Sequence, residues 1–139
     1  SLAEGDKQRE QALAFARQRL SEQSPVLIYA SSDPDGVSAA QQALGVERAG
    51  ALVEEALSQL AVTLVNEGSG RLLVAGGETS GAVVSALGIN TLRIGEQIDP
   101  GVPWTQALLA GREAPLSLAL KSGNFGGVDF FTRAFEVLA

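Results

Sequence analysis

Two glycine-rich segments of the chain combine residue types that suit anion binding. The first is GGETSG, residues 76–81, and the second is KSGNFGG, residues 121–127. Glycines let a ligand approach the main chain closely, and the N–H groups at the start of a helix attract negative charge. Each segment therefore indicates a place where the phosphate groups of a ligand could bind.

In the first segment, hydroxyl side chains accompany the glycines. Thr79 and Ser80 could cap the helix that follows, or they could donate hydrogen bonds to phosphate oxygens. The glycine spacing matches the GxxxxG frame of a P-loop, but Ala82 and Val83 stand where that motif has Lys and Ser or Thr. The segment is therefore not a Walker A motif. A tight strand-to-helix turn without any ligand remains open as the alternative interpretation of its glycines.

Glu78 places a carboxylate inside this anion site. Magnesium accompanies nucleotide phosphates and takes oxygen ligands, so Glu78 could hold metal-bound water, or it could bind a ribose hydroxyl. Alternatively, the carboxylate only complements the positive end of the helix dipole and stays in solvent. The residue types leave both interpretations open.

The second segment adds a cation to its glycines. Lys121 could bind a phosphate, and Ser122 and Asn124 could donate hydrogen bonds to it. The alternatives are a solvated Lys121 and a Phe125 that anchors the core rather than stacking on a base. Two such segments at two predicted strand ends are harder to explain by chain geometry alone than one.

The composition excludes several kinds of chemistry and partner. The 139 residues include no His and no Cys, which rules out disulfides, thiolate chemistry and imidazole bases, and no protein-only metal site is predicted. The formal net charge of −6 repels polyanions, so we expect neither a nucleic-acid nor a membrane partner. Without a signal peptide or an apolar run of roughly 18 residues, a cytoplasmic protein is expected.

Predicted strands and helices alternate along the chain. Apolar runs predict strands at residues 25–30, 71–77, 91–95 and 116–123, while helical periodicity predicts helices at residues 6–22, 36–44, 46–66, 80–88 and from residue 130 onward. The segment IDPGVPW, residues 98–104, is expected to be irregular, with Trp104 packed against the core. This order predicts an α/β layered sandwich with a mostly parallel sheet flanked by helices. Because ligands collect at the carboxyl ends of parallel strands, the two glycine segments could form a single site.

Three blocks of the sequence together resemble a known family. VAGGETSGAVVSALG (residues 74–88), RIGEQIDPGVPW (residues 93–104) and LALKSGNFGGVDFF (residues 118–131) resemble, in order and spacing, the C-terminal nucleotide-binding domain of the four-carbon acid sugar kinases. That family includes the 3-oxotetronate, threonate and erythronate kinases. The resemblance extends from about residue 25 to the end of the chain.

The resemblance implies an ATP-dependent kinase of two domains that uses ATP and Mg²⁺. Its N-terminal domain would bind the four-carbon sugar acid and carry an acidic catalytic residue, and its C-terminal domain would hold ATP. Residues 1–139 are then one N-terminally truncated nucleotide-binding domain of a larger kinase. Because the substrate domain and a Gly-Ser-rich segment are missing, we expect the chain alone to be inactive. The catalytic residue stays unknown, and a homo-oligomer stays open.

The resemblance also assigns binding residues. The principal nucleotide contacts would be Gly76, Gly77, Glu78 and Thr79, with Gly126 as a further contact. A second set of candidates comprises Ser80, Gly81, Lys121, Gly123 and Asn124. Two alternatives to a kinase are a module that senses a nucleotide or another phosphorylated ligand without turnover, and a purely structural domain.

Overall fold

A computed structural model of the chain describes residues 2–29, 42, 45–122 and 129–138. The chain divides into two compact units, residues 1–64 and residues 65–139. The described elements, in chain order, are α1 (Leu2–Ser21), α2 (Val46–Asn66), β1 (Arg71–Ala75), α3 (Gly77–Ala86), β2 (Leu92–Asp99), β3 (Val102–Ala107), β4 (Leu116–Lys121) and α4 (Phe130–Val137). None of the helices in these ranges has both the length and the apolar character needed to cross a membrane.

The first unit contains α1 and nearly all of α2, and both helices confirm the predictions from periodicity. The predicted strand at residues 25–30 is wrong for its described part, because residues 25–29 form no strand. Leu27 is 61% exposed and Tyr29 is 70% exposed. An apolar run becomes a buried strand only when other strands pair with it, and none of the described strands pairs with this segment. The predicted helix at residues 36–44 lies outside the described residues except for residue 42, which is helical.

The second unit is built on a four-stranded sheet with the order β1-β4-β3-β2. Strands β1 and β4 are parallel, whereas β3 is antiparallel to both of its neighbours, β2 and β4. The α/β class is therefore confirmed. The prediction of a mostly parallel sheet holds only for the β1–β4 pairing, because a tight connection between β2 and β3 reverses the chain direction.

The hairpin formed by β2 and β3 corrects the interpretation of residues 98–104 as irregular. Strand β2 runs on to Asp99, and after Pro100 and Gly101 the chain returns as β3. Pro103 does not disrupt the sheet, because it lies near the start of β3 and pairs with Gln97 of β2, while pairing with β4 begins only at Trp104.

Helix α4 covers the core of the second unit. The buried cluster comprises Ile98, Val102, Trp104, Ala119, Phe130 and Ala134. Trp104 is 2% exposed, its Nε1 donates to the Ala134 carbonyl at 2.7 Å, and its ring contacts Phe135 with centroids 5.6 Å apart. The expectation that Trp104 packs against the core is confirmed, although the residue lies in a strand rather than in a loop.

Candidate functional site

The carboxyl ends of β1 and β4 lie side by side at one edge of the sheet. Ala75 pairs with Lys121 in the parallel register, and one residue further on the Gly76 N–H donates to the Lys121 carbonyl at 2.7 Å. The two glycine-rich segments therefore begin at the same place, as expected from the parallel pairing. Of the second segment, Gly123, Asn124 and Gly126 lie outside the described residues, so their predicted roles stay predictions.

Gly76 makes the turn from β1 into α3. Its φ of 105° and ψ of 129° lie in a region that side chains rarely adopt, which explains why glycine is needed at this position. The turn takes one residue, and α3 starts at Gly77. A sharp turn of this kind brings the start of the helix directly to the end of the sheet.

The first turn of α3 presents main-chain N–H groups at this edge. The first helical hydrogen bond runs from the Ser80 N–H to the Gly76 carbonyl at 2.9 Å. The N–H groups of Gly77, Glu78 and Thr79 precede it and so have no acceptor within the helix. A methyl group added at Gly77 would meet no atom of the described residues within 4 Å, so they leave open space beside the main chain there. The arrangement can receive an anion.

The helix starts three residues earlier than the predicted start at Ser80, and this corrects one proposed role. Thr79 and Ser80 do not cap the helix, because Gly76 is the N-cap residue and no side chain forms the cap. Both hydroxyl residues lie within the first helical turns instead. Thr79 is half-buried, whereas Ser80 is buried and its Oγ has no hydrogen-bond partner among the described residues.

Glu78 lies exposed in the first turn of α3, where a carboxylate complements the helix dipole. Both interpretations of this side chain, dipole partner and ligand contact, are compatible with that position. Gly81, in the next turn, is also exposed and has open space around it. Within the described ranges, no group of three or more acidic side chains is placed to hold a metal ion by itself.

Lys121 ends β4 and is half-buried. Its ammonium group stands over the Phe130 ring, 5.8 Å from the ring centroid, in cation–π contact. The cation is thus held next to the first residue of α4. It carries a positive charge at the strand edge where α3 begins, and its proposed contact with phosphate stays a prediction.

Asp99 and Arg133 form a contact that sequence patterns did not indicate. Arg133 Nη2 donates to Asp99 Oδ2, which ties α4 to the end of β2. Asp99 is the last residue of β2, next to the turn at Pro100 and Gly101, and it has an ion-pair role as well. The signal was absent from the sequence because the two residues are 34 positions apart.

The chain is similar in sequence to a known protein family and to named relatives. The family model described as "Nucleotide-binding C-terminal domain" matches residues 1–131 of the chain. A 3-oxo-tetronate kinase of Pseudomonas fluorescens is 59% identical over 139 residues, and one of Burkholderia multivorans is 58% identical over 138 residues. The chain is covered to 100% and 99% in these matches and spans 31% of each relative, about one third of its length.

A solved structure shares the fold as well. The crystal structure of a Haemophilus influenzae protein superposes with a TM-score of 0.80 at 39% sequence identity. That match covers 94% of this chain and 31% of the other chain. The sequence and fold comparisons therefore agree on the same region of longer proteins.

Proposed function

Because the chain belongs to the nucleotide-binding C-terminal domain family of the 3-oxo-tetronate kinases, we propose that it holds ATP for a sugar-acid kinase. In this proposal the chain is the C-terminal third of a longer protein, in line with its share of the relatives' length. The remaining part would bind the sugar acid, for which 3-oxo-tetronate is the proposed substrate. A protein that uses ATP in this way would work in the cytoplasm.

One observation carries the proposal. The N-terminus of α3 lies at the edge where β1 and β4 end together, and three main-chain N–H groups there have no acceptor within the helix. Gly76, Gly77, Glu78 and Thr79 would form the principal phosphate contact. Lys121, and beyond the described residues Gly123, Asn124 and Gly126, would border it from the β4 side.

The chain's contribution to the reaction would be positioning and charge compensation. Phosphoryl transfer depends mainly on the alignment of the two reactants and on donors placed where negative charge resides. The N–H groups of the first turn of α3 supply such donors without any reorganisation. The base that accepts the proton of the sugar hydroxyl would belong to the substrate-binding part.

Mg²⁺ would be held largely by phosphate oxygens and water. Magnesium sites in such enzymes need only one or two protein carboxylates beside the phosphates. Glu78 is the exposed carboxylate at this position, and it fits that limited role. If Glu78 only complements the helix dipole, its side chain would lie at the same exposed position in the ligand-free chain, so the structure fits this interpretation equally well.

The test is an assay of the longer protein with MgATP and 3-oxo-tetronate. We expect release of ADP that depends on the sugar acid. ATP binding without such release would overturn the kinase proposal and favour a nucleotide-sensing module. Failure to bind ATP at all would overturn the nucleotide proposal and leave the glycines with a structural role only.

A further inference from the structure

Ser80 carries a buried hydroxyl without a hydrogen-bond partner among the described residues. The residue is only 8% exposed. The two other buried hydroxyl residues in the described ranges are both paired: Ser58 Oγ donates to the Glu55 carbonyl at 3.0 Å, and Thr105 Oγ1 donates to the Leu118 carbonyl at 2.6 Å. A buried hydroxyl without a partner costs folding free energy, so Ser80 needs an explanation that packing alone does not give.

The position of Ser80 points to a ligand. The residue stands just behind the three N–H groups of Gly77, Glu78 and Thr79, and it shares the buried face of α3 with Val83, which is 1% exposed. Helix α3 packs on β1 and β4. In a helix, every Cα–Cβ bond tilts toward the N-terminus, so the Ser80 side chain is directed toward the end that opens at the strand edge.

We propose that the Ser80 hydroxyl donates its hydrogen bond to a phosphate oxygen of the bound nucleotide. The ligand thereby supplies the acceptor that the described residues do not provide. This inference rests on the proposed function and assigns a specific role to one residue behind the principal contact. The free protein gives up some stability at Ser80, and the ligand recovers it on binding.

The test compares Ser80→Ala with Ser58→Ala in the longer protein. The two serines are equally buried and both helical, but only the Ser58 hydroxyl has a protein acceptor. Calorimetric titration gives the affinity for ATP and for adenosine, and thermal unfolding without nucleotide gives Tm. For Ser80→Ala we expect an ATP affinity about tenfold weaker, from the loss of one hydrogen bond to a charged group.

The same variant should keep its affinity for adenosine, which has no phosphate. Its Tm without nucleotide should be equal to or higher than that of the parent protein, because no satisfied hydrogen bond is lost. Ser58→Ala should show the opposite pattern, with a lower Tm and an unchanged affinity for ATP.

Three results would overturn the inference. An unchanged ATP affinity in Ser80→Ala would show that the hydroxyl does not contact the ligand, and an equal loss for adenosine would place the contact on the nucleoside. A lower Tm in Ser80→Ala would mean that a protein group accepts its hydrogen bond. If the parent protein does not bind ATP, both the proposed function and the role of Ser80 are overturned. If the parent protein and Ser80→Ala bind ATP equally well, only the role of Ser80 is overturned.

Discussion

At the scale of single residues, the neighbours Gly76 and Gly77 serve different requirements. Gly76 has a φ of 105°, which the turn between β1 and α3 demands. Gly77 has ordinary helical geometry and open space around it, so the fold alone does not require a glycine there. A close approach of a ligand to the main chain would explain the second glycine.

Replacing Gly77 by Ala should separate folding from nucleotide binding. Alanine favours a helix over glycine by about 0.5–1 kcal/mol, so the free energy of unfolding should stay the same or rise. The added methyl group would take up space at the start of α3 that the described residues leave open, and in the proposed function the affinity for ATP should fall by about tenfold or more, roughly 1.4 kcal/mol. Urea unfolding and calorimetric titration of the longer protein measure the two quantities.

Gly50→Ala is the matched control for this substitution. Gly50 is also helical, also exposed and also without any atom within 4 Å of an added methyl group, but it lies in α2. It should gain similar stability and bind ATP as the parent protein does. Unchanged ATP affinity in Gly77→Ala would contradict the proposed contact.

Replacing Gly76 by Ala should instead destabilise the fold. The nearest atom to the added methyl group would be Thr79 Oγ1 at 3.6 Å, an ordinary contact, so the cost comes from the backbone conformation. Strain of this kind costs on the order of 1–3 kcal/mol. Urea unfolding should show a decrease of that size in the free energy of unfolding of Gly76→Ala, whereas Gly50→Ala should show an increase. Equal stability of the two variants would show that the turn does not need a positive φ.

At the scale of elements, the strand–turn–helix unit of β1 and α3 could be predicted from the sequence, but the hairpin could not. An apolar strand followed by glycines and a helical pattern is a local signal. Strand β3 carries Pro103 and follows the turn-forming Pro100 and Gly101, a composition typical of loops. Its strand conformation depends on pairing with β2 and β4, which is long-range information.

Helix α4 depends on Trp104 for its attachment to the sheet. Trp104→Phe should remove the hydrogen bond to the Ala134 carbonyl and leave that carbonyl without its partner. We expect a loss of about 1–3 kcal/mol in the free energy of unfolding. Circular dichroism is the measurement of choice, because the substitution removes the one Trp of the chain and with it the Trp fluorescence signal.

Leu108→Ala is the control for this prediction. Leu108 follows β3 directly and is 76% exposed, so its removal should change the free energy of unfolding by less than about 0.5 kcal/mol. If Trp104→Phe is no more destabilising than Leu108→Ala, the bond to Ala134 does not hold α4 in place.

At the scale of the whole molecule, charge and local structure act in opposite directions. The chain has a formal net charge of −6, which repels a nucleotide polyanion. In the proposed function, nucleotide binding would therefore depend on the local N–H groups of α3 and on Lys121 rather than on a general positive field. Low ionic strength should not by itself strengthen ATP binding, in contrast to proteins that use a basic surface.

The sequence identified the candidate segments because glycines, hydroxyls and a lysine are visible as residue types. It did not indicate that residues 25–29 remain outside the sheet, since an apolar run carries no information on whether a partner strand exists. It also did not indicate that Ser80 is buried while Thr79 is half-buried, because burial depends on which face of α3 meets the sheet. Those features become visible only in three dimensions.

The central claim is that the first turn of α3 receives the nucleotide phosphates. Hydrogen–deuterium exchange of the longer protein, with and without MgATP, tests it directly, because amides without an intrahelical acceptor exchange fast until a ligand bonds to them. We predict that MgATP slows exchange in peptides that contain residues 77–79 and in those that begin at Lys121, while peptides of the β2–β3 hairpin do not change. Binding of ATP with unchanged exchange at residues 77–79 would contradict the account.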